Sequence, residues 1–306
     1  MSDLRPFNTR RLPQPTGFRN IGFTCYYNSL IQSLMSCSSF VDLIAQPRDD
    51  KFLSALHNTI ADPTTIPYSW SILMQSIVKK SPNNAYFTNG QQCAAELYTL
   101  LLDVIDQEED IQELFTYRRQ NEIFCPECKK IYSSVTETNN LFDLPLNNGN
   151  VKDQSSDVPC STSSTSKNCN TVESFLLRHN SDVDANAVCT LCHSKGPKKK
   201  TSRLRLAPEI LFINVKQYRC QKQCEKIYES IKFQEWMEFD STKKLKYRAV
   251  AYIQHYGSIG GGHYTAVALR PDQNTTAWYH FDDQSVSAAS FAPDDNTYCI
   301  LYHYVE

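Results

Sequence analysis

Asn20-Ile21-Gly22-Phe23-Thr24-Cys25-Tyr26-Tyr27-Asn28-Ser29 places a cysteine where a loop turns into a helix. Beyond Cys25, the apolar residues Leu30, Ile31, Leu34 and Met35 recur at spacings of three and four, so an amphipathic helix begins near Cys25. A thiol at a helix N-terminus faces unpaired N–H groups and the positive end of the macrodipole, and both favour thiolate. A free thiol with a pKa of about 8.5 is only a few per cent ionised at pH 7, so a downward shift of one or two units decides whether it is poised to attack. A cysteine taken alone is more often a packed structural residue. As a nucleophile, Cys25 needs a base.

Gly260-Gly261-Gly262-His263-Tyr264 supplies one far downstream, immediately before a strand-like run. The glycines permit close approach of another backbone, and His263 sits at the strand entrance. Trp278-Tyr279-His280-Phe281-Asp282-Asp283 then reads as a strand ending in two carboxylates, one of which can orient an imidazole and stabilise its charged form.

Outward from these three pieces, helical punctuation comes first and strand punctuation later, which predicts an α+β fold. Gln91 to Ile105 carries Ala94, Leu97, Tyr98, Leu101, Val104 and Ile105 on one stripe, and Trp70 to Val78 also reads as helix. Ile210–Val215, Tyr247–Ile253, Tyr264–Leu269, Trp278–Phe281 and Tyr298–Tyr304 are short runs of aromatic and β-branched residues, expected to form one antiparallel sheet. Between Asn147 and Asn170 the composition collapses to Asn, Ser, Asp and Thr, which predicts a disordered insertion, with Asn170 capping a short helix at Ser174–Leu177.

Cys125-Pro126-Glu127-Cys128 and Cys189-Thr190-Leu191-Cys192 are two knuckles, each able to bite one face of a tetrahedral zinc. The long separation between them is explained by the polar insertion at a ribbon tip. His193, Cys220 and Cys224 are competing ligands. Lys195 to Lys200 reads as a solvated loop beside the second knuckle, His255 as a core or supporting residue within a strand, and Cys37 as a packed helix residue.

With 31 basic and 33 acidic residues the net charge is −2, so no global field recruits nucleic acid or membrane. No apolar run reaches eighteen residues and Met1–Pro6 lacks a signal-peptide pattern, so a cytoplasmic or nuclear monomer is expected, its twelve cysteines serving as thiols and metal ligands.

Together the three boxes resemble the ubiquitin-specific protease family of cysteine deubiquitinases. The family's Gly-x-x-Asn-x-Gly-x-Thr-Cys-Tyr-x-Asn-Ser is matched from Gly17 to Ser29, its histidine box at Gly262-His263-Tyr264, and its carboxylate strand at Phe281-Asp282-Asp283. Leu206 to Lys216 and Tyr298 to Tyr304 resemble its strand before the substrate groove and its closing strand. The resemblance implies a papain-like fold in one catalytic domain over 1–306: a helical thumb (16–115), fingers and part of the palm (116–245), and the rest of a sheet-built palm (246–306). It implies Cys25 as nucleophile, His263 as general base and acid, Asp282 as orienting carboxylate, Asn20 in the oxyanion hole and Asp283 as an auxiliary. It also implies a structural zinc on Cys125, Cys128, Cys189 and Cys192 at the fingertips, with no organic cofactor. The implied substrate is the isopeptide after the terminal Gly-Gly of ubiquitin or a ubiquitin-like modifier.

The family's tail-reading Gln-x-Asp-x-x-Glu appears here as Gln91-Gln92-Cys93-Ala94-Ala95-Glu96, so Glu96 remains while the aspartate has become Cys93. That loss, with the Gln-x-x-Ala-Ala-x-Leu-Tyr layout, points also toward the branch that removes the interferon-induced modifier. Phe23 and Tyr27 depart from the smaller or unbranched residues of relatives. Two other readings use the same hand or the same chemistry: a catalytically silent modifier-binding module, and a general papain-like endopeptidase or acyltransferase. The intact triad argues against the first and the fingers against the second.

Overall fold

In a computed structural model of the chain the described residues are 5–9, 12–82, 92–145, 172, 180–183, 187–220, 224–226, 231–239, 245–258, 261–273 and 275–306. The expectations for the insertion at 147–170 and for a helix at 174–177 lie outside them.

The N-terminal half is helical: α1 (Cys25–Leu34), α2 (Ser38–Ile44), α3 (Lys51–Ala61), α4 (Ile66–Lys80), α5 (Ala94–Val104) and α6 (Glu109–Phe115). The helices expected at Cys25, within Trp70–Val78 and within Gln91–Ile105 are present as α1, α4 and α5, and α2, α3 and α6 join them. Asp50 caps α3, its Oδ1 accepting from the Leu53 N–H at 2.8 Å. All ten residues of α1 are buried, polar ones included. The helix tolerates this because Ser29 and Ser33 donate their hydroxyls back to the Cys25 and Ser29 carbonyls. Cys37 is buried between α1 and α2, at the cap of α2, not within a helix as expected.

Fourteen strands follow among the described residues: β1 (Tyr117–Cys125), β2 (Lys130–Asn139), β3 (Phe142–Pro145), β4 (Asn180–Val183), β5 (Lys198–Leu206), β6 (Ile210–Lys216), β7 (Tyr218–Cys220), β8 (Cys224–Lys226), β9 (Trp236–Phe239), β10 (Leu245–Ser258), β11 (Gly261–Asp272), β12 (Thr275–Asp282), β13 (Ser285–Ala289) and β14 (Thr297–Tyr304). The palm sheet runs β13-β12-β11-β10-β14-β6-β3, with β9 also on β10. All five expected strands lie in it. These five pair antiparallel as expected, and β3, which was not foreseen, adds a parallel edge on β6. The chain leaves β3 and returns to β6 only after β4 and β5, and such a long crossover permits parallel pairing that a tight hairpin forbids.

A second sheet, β2-β1-β5-β4, forms the fingers. Lys198, Lys199 and Lys200 open β5 instead of forming a solvated loop, and Lys198 is buried. Helices and palm share one core. Tyr98 of α5 stacks on Phe212 of β6 with centroids 3.9 Å apart, and α1 packs against β10, β11 and β12. Burying a pair of aromatic side chains contributes on the order of 3–6 kcal/mol before entropy is counted. The same packing sets the cysteine helix on the histidine strand.

Candidate active site

The loop before α1 is held by the side chain of Asn20. Its Oδ1 accepts from the Gly22 and Thr24 N–H groups at 3.1 and 3.2 Å and from the Thr24 hydroxyl at 3.2 Å. Gly22 has φ +127°, a conformation that L side chains rarely adopt. Thr24 makes no side-chain cap hydrogen bond at the start of α1, so the N-terminus of the helix, with the positive end of its dipole, lies at Cys25.

His263 lies at the start of β11, opposite Tyr256 of β10. Its Nε2 is 2.6 Å from Asp282 Oδ1, at the end of the neighbouring β12. This leaves Nδ1 as the second working atom of the ring. Tyr26 and Tyr264, the residues following Cys25 and His263, meet edge to face at 6.5 Å.

Asp283, in the two-residue turn from β12 to β13 and at φ +50°, reaches across to the cysteine segment. One carboxylate oxygen accepts from Asn20 Nδ2 and the other from Asn28 Nδ2, each at 2.8 Å. Its backbone carbonyl accepts from the Phe18 N–H at 2.8 Å. A Cβ on Gly17 would lie 2.4 Å from the Gln284 carbonyl oxygen, so glycine is required for this approach. The turn of α1 that carries Cys25 is therefore one hydrogen bond from the residue after Asp282. Asn20, Cys25, His263, Asp282 and Asp283 collect at one end of the palm. Asn28 was quoted with the cysteine box but its role was not read, because a neutral amide in a helix carries no signal until its partner is known.

Glu96 lies elsewhere, in a groove of about 390 Å³ between α5 and β6/β14 lined also by Cys93, Thr99, Lys216, Gln217 and Tyr298. Partial burial raises the Glu96 carboxyl above the usual carboxylate range. Cys93 caps α5, its sulfur accepting from the Glu96 N–H at 3.4 Å and lying 2.9 Å from the Tyr298 hydroxyl. Tyr298 in turn packs edge to face on Tyr264 at 5.6 Å, which links the groove to the histidine.

At the far end of the fingers, Cys125, Cys128, Cys189 and Cys192 present sulfurs within 4.8 Å of one another. The Cys125–Cys192 and Cys128–Cys189 separations are 3.8 and 3.9 Å. A tetrahedron with Zn–S bonds of about 2.3 Å has edges of about 3.8 Å, so the donor set and its span fit a closed zinc site. The Ser194 hydroxyl, 3.4 and 3.1 Å from the Cys125 and Cys192 sulfurs, lowers both thiols, Cys125 to about 6. Lys198 donates to that hydroxyl at 3.2 Å. His193 follows at φ +58° and is not among the four; Cys220 and Cys224 pair on the separate β7–β8 ribbon.

The profile described as "Ubiquitin carboxyl-terminal hydrolase" matches residues 16–302. Ubiquitin carboxyl-terminal hydrolase 26 of Arabidopsis thaliana is 24% identical over 91% of the chain, which spans 26% of that protein's length. Ubl carboxyl-terminal hydrolase 18 of Mus musculus is 22% identical over 92% of the chain and 80% of its own. Among solved structures, the SAGA Ubp8/Sgf11/Sus1/Sgf73 DUB module bound to ubiquitin aldehyde is similar with a TM-score of 0.73, 17% identity and coverage of 98% of this chain and 71% of that one. The last likeness shows the fold.

Proposed function

Because the chain belongs to the ubiquitin carboxyl-terminal hydrolase family, we propose that it is a cysteine hydrolase cleaving the isopeptide after the terminal Gly-Gly of ubiquitin or a ubiquitin-like modifier. The observation that carries this reading is the His263–Asp282 pair on strands packed against the cysteine helix, which Asp283 fixes.

The thiol of Cys25 gives its proton to His263 Nδ1, and the sulfur attacks the glycine carbonyl carbon. Asn20 has one N–H tied to Asp283 and a second free to donate, with the Cys25 N–H, to the developing oxyanion; one such donor is worth about 3 kcal/mol of barrier. The imidazolium, stabilised by Asp282, protonates the departing lysine amine, and a thioester remains. Water then gives a proton to His263 and attacks the thioester. The modifier leaves as a carboxylic acid and Cys25 regains its proton.

Cys125, Cys128, Cys189 and Cys192 would hold a zinc ion that ties the fingertips together and takes no part in the steps above. The unchanged triad speaks against a silent binding module.

The groove at Glu96 favours a second, narrower reading of the substrate. It offers one carboxylate, open to solvent, and, at Cys93–Tyr298, a thiol–phenol pair in place of a second carboxylate, so it accommodates a tail with one basic side chain better than a tail with two. The similarity to the mouse Ubl hydrolase supports a ubiquitin-like modifier as that substrate.

The test is turnover of modifier–aminomethylcoumarin conjugates and labelling by modifier-based electrophilic probes carrying ubiquitin or its relatives. Wild type turns over at least one conjugate, and Cys25→Ala loses both turnover and labelling. Turnover by Cys25→Ala would refute the mechanism.

A further inference from the structure

Arg270, in β11, is fully buried, yet no carboxylate neutralises it among the described residues. Its guanidinium is shared among the carriers of all three catalytic groups. One arm, Nη2, donates to the Gln32 backbone carbonyl at 2.9 Å and to Gln32 Oε1 at 2.6 Å, on α1; the other, Nη1, donates to the Ser36 hydroxyl and to its own strand's Leu269 carbonyl at 2.8 Å. Its plane covers the ring of Phe281, the residue before Asp282 on β12, at 4.8 Å. Burial holds the guanidinium down, to about 9.

Gln32 extends the connection. Its Nε2 donates to the Thr16 carbonyl at 2.7 Å, in the segment that runs through Gly17 and Phe18 to the Asp283 turn. Gln32 lies seven residues, about two turns, beyond Cys25 and so on the same face of α1. Its carbonyl is among the last of the helix, where an arginine also complements the negative end of the dipole.

A helix held at one end can rock. Asp283 holds the first turn of α1 through Asn28, and Arg270 holds the last turn through Gln32; Arg270 stands on the strand that carries His263, and Asp283 opens the turn directly after the strand that carries Asp282. We propose that Arg270 is a positioning residue, which with Gln32 forms the second of two clamps that fix the Cys25 helix against the His263–Asp282 strands. Nothing in the apolar packing needs a cation there: desolvating a guanidinium is costly, and a leucine or methionine would fill the space without that cost. What the guanidinium adds is direction, since its fork accepts one orientation of α1 and an apolar contact accepts many.

The inference rests on the reading of Cys25 as nucleophile, so wild-type labelling by a ubiquitin vinyl sulfone or a relative's is measured first; its absence would overturn that reading and this inference with it. With labelling established, Arg270→Met and Gln32→Met are compared for thermal unfolding, for kcat and KM on the matching aminomethylcoumarin conjugate, and for the pH dependence of labelling. Each variant, at a temperature where it is folded, is expected to lose ten- to a hundredfold in kcat with KM within twofold, and its labelling midpoint to rise by about one pH unit as the thiolate loses its aligned imidazolium. Arg270→Lys, which keeps charge but not the fork, recovers only part of kcat. A folded variant with kcat and labelling midpoint both unchanged would overturn the proposal. So would a loss of kcat accompanied by an unchanged midpoint, because that is the signature of simple destabilisation. Should Arg270→Met not fold, Gln32→Met decides alone.

Discussion

Asp283 ties the cysteine loop to the carboxylate strand by two side-chain bonds and one backbone bond, whereas the Asp282 carboxylate holds the imidazole. Removing it releases Asn20 and Asn28 together. Asp283→Ala is expected to lower kcat about a hundredfold or more, near the effect of losing one oxyanion donor, while KM changes little; steady-state kinetics on a modifier–fluorophore conjugate checks this. His303 behaves differently. It is buried in β14, its Nδ1 at 2.8 Å from the Tyr304 carbonyl and its Nε2 at 2.8 Å from the Ser39 hydroxyl, and burial pushes its pKa from 6.5 down to about 4. Glu209, Asp42 and Arg5 act on it with smaller and opposing effects. Between these values the unfolded chain binds a proton that the folded chain refuses, so stability is complete above about 6.5 and falls as pH drops toward 4. Denaturant unfolding should show about 2 kcal/mol of this loss between pH 7.5 and pH 5, and His303→Gln should remove it. An equal pH dependence in the variant would show that the loss arises elsewhere.

At the scale of elements, the fingers and the palm are stabilised by different means. The palm strands β10, β11 and β14 are buried along most of their length, whereas β2 is half-buried or exposed throughout. A thin sheet of that kind buries too little apolar surface to be secure alone. A structural zinc on the four sulfurs would contribute on the order of 10 kcal/mol to holding the fingers folded. Chelation is therefore expected to raise amide exchange in β1, β2 and β5 well before β10 and β11 respond. Equal exchange with and without chelator in both sheets would contradict a structural metal. The sequence showed the two knuckles and their pairing, because ligand spacing is local. It did not show β4, or that Lys198 is buried beneath Ser194, because a run of lysines reads as solvated until a strand partner covers one of them.

For the molecule as a whole, the groove proposed to read the modifier's tail lies where thumb and palm meet. Glu96 comes from α5, Tyr298 from β14 and Lys216 from β6, with Lys216 already paired to Asp143 at 3.0 Å. Glu96 must ionise to hold a basic tail residue and its pKa is raised, so KM for such a tail should increase as pH falls through that pKa, and Glu96→Gln should abolish the dependence. Cys93→Asp should lower KM several-fold for tails with two basic side chains and leave singly basic tails unchanged; conjugates with each tail arginine replaced by alanine measure this. If both wild type and Cys93→Asp respond alike to every replacement, the pair does not select the tail. The chain order of helices before strands, the start of the Cys25 helix, five palm strands and the metal knuckles were all determined by the sequence, since periodicity, capping and ligand spacing act over a few residues. The parallel β3–β6 edge, the double clamp of Asp283 and Arg270 on α1, and the thiol–phenol pair in the groove were decided only by the tertiary structure. Each joins side chains or strands far apart along the chain, and only the packed core fixes which distant groups meet.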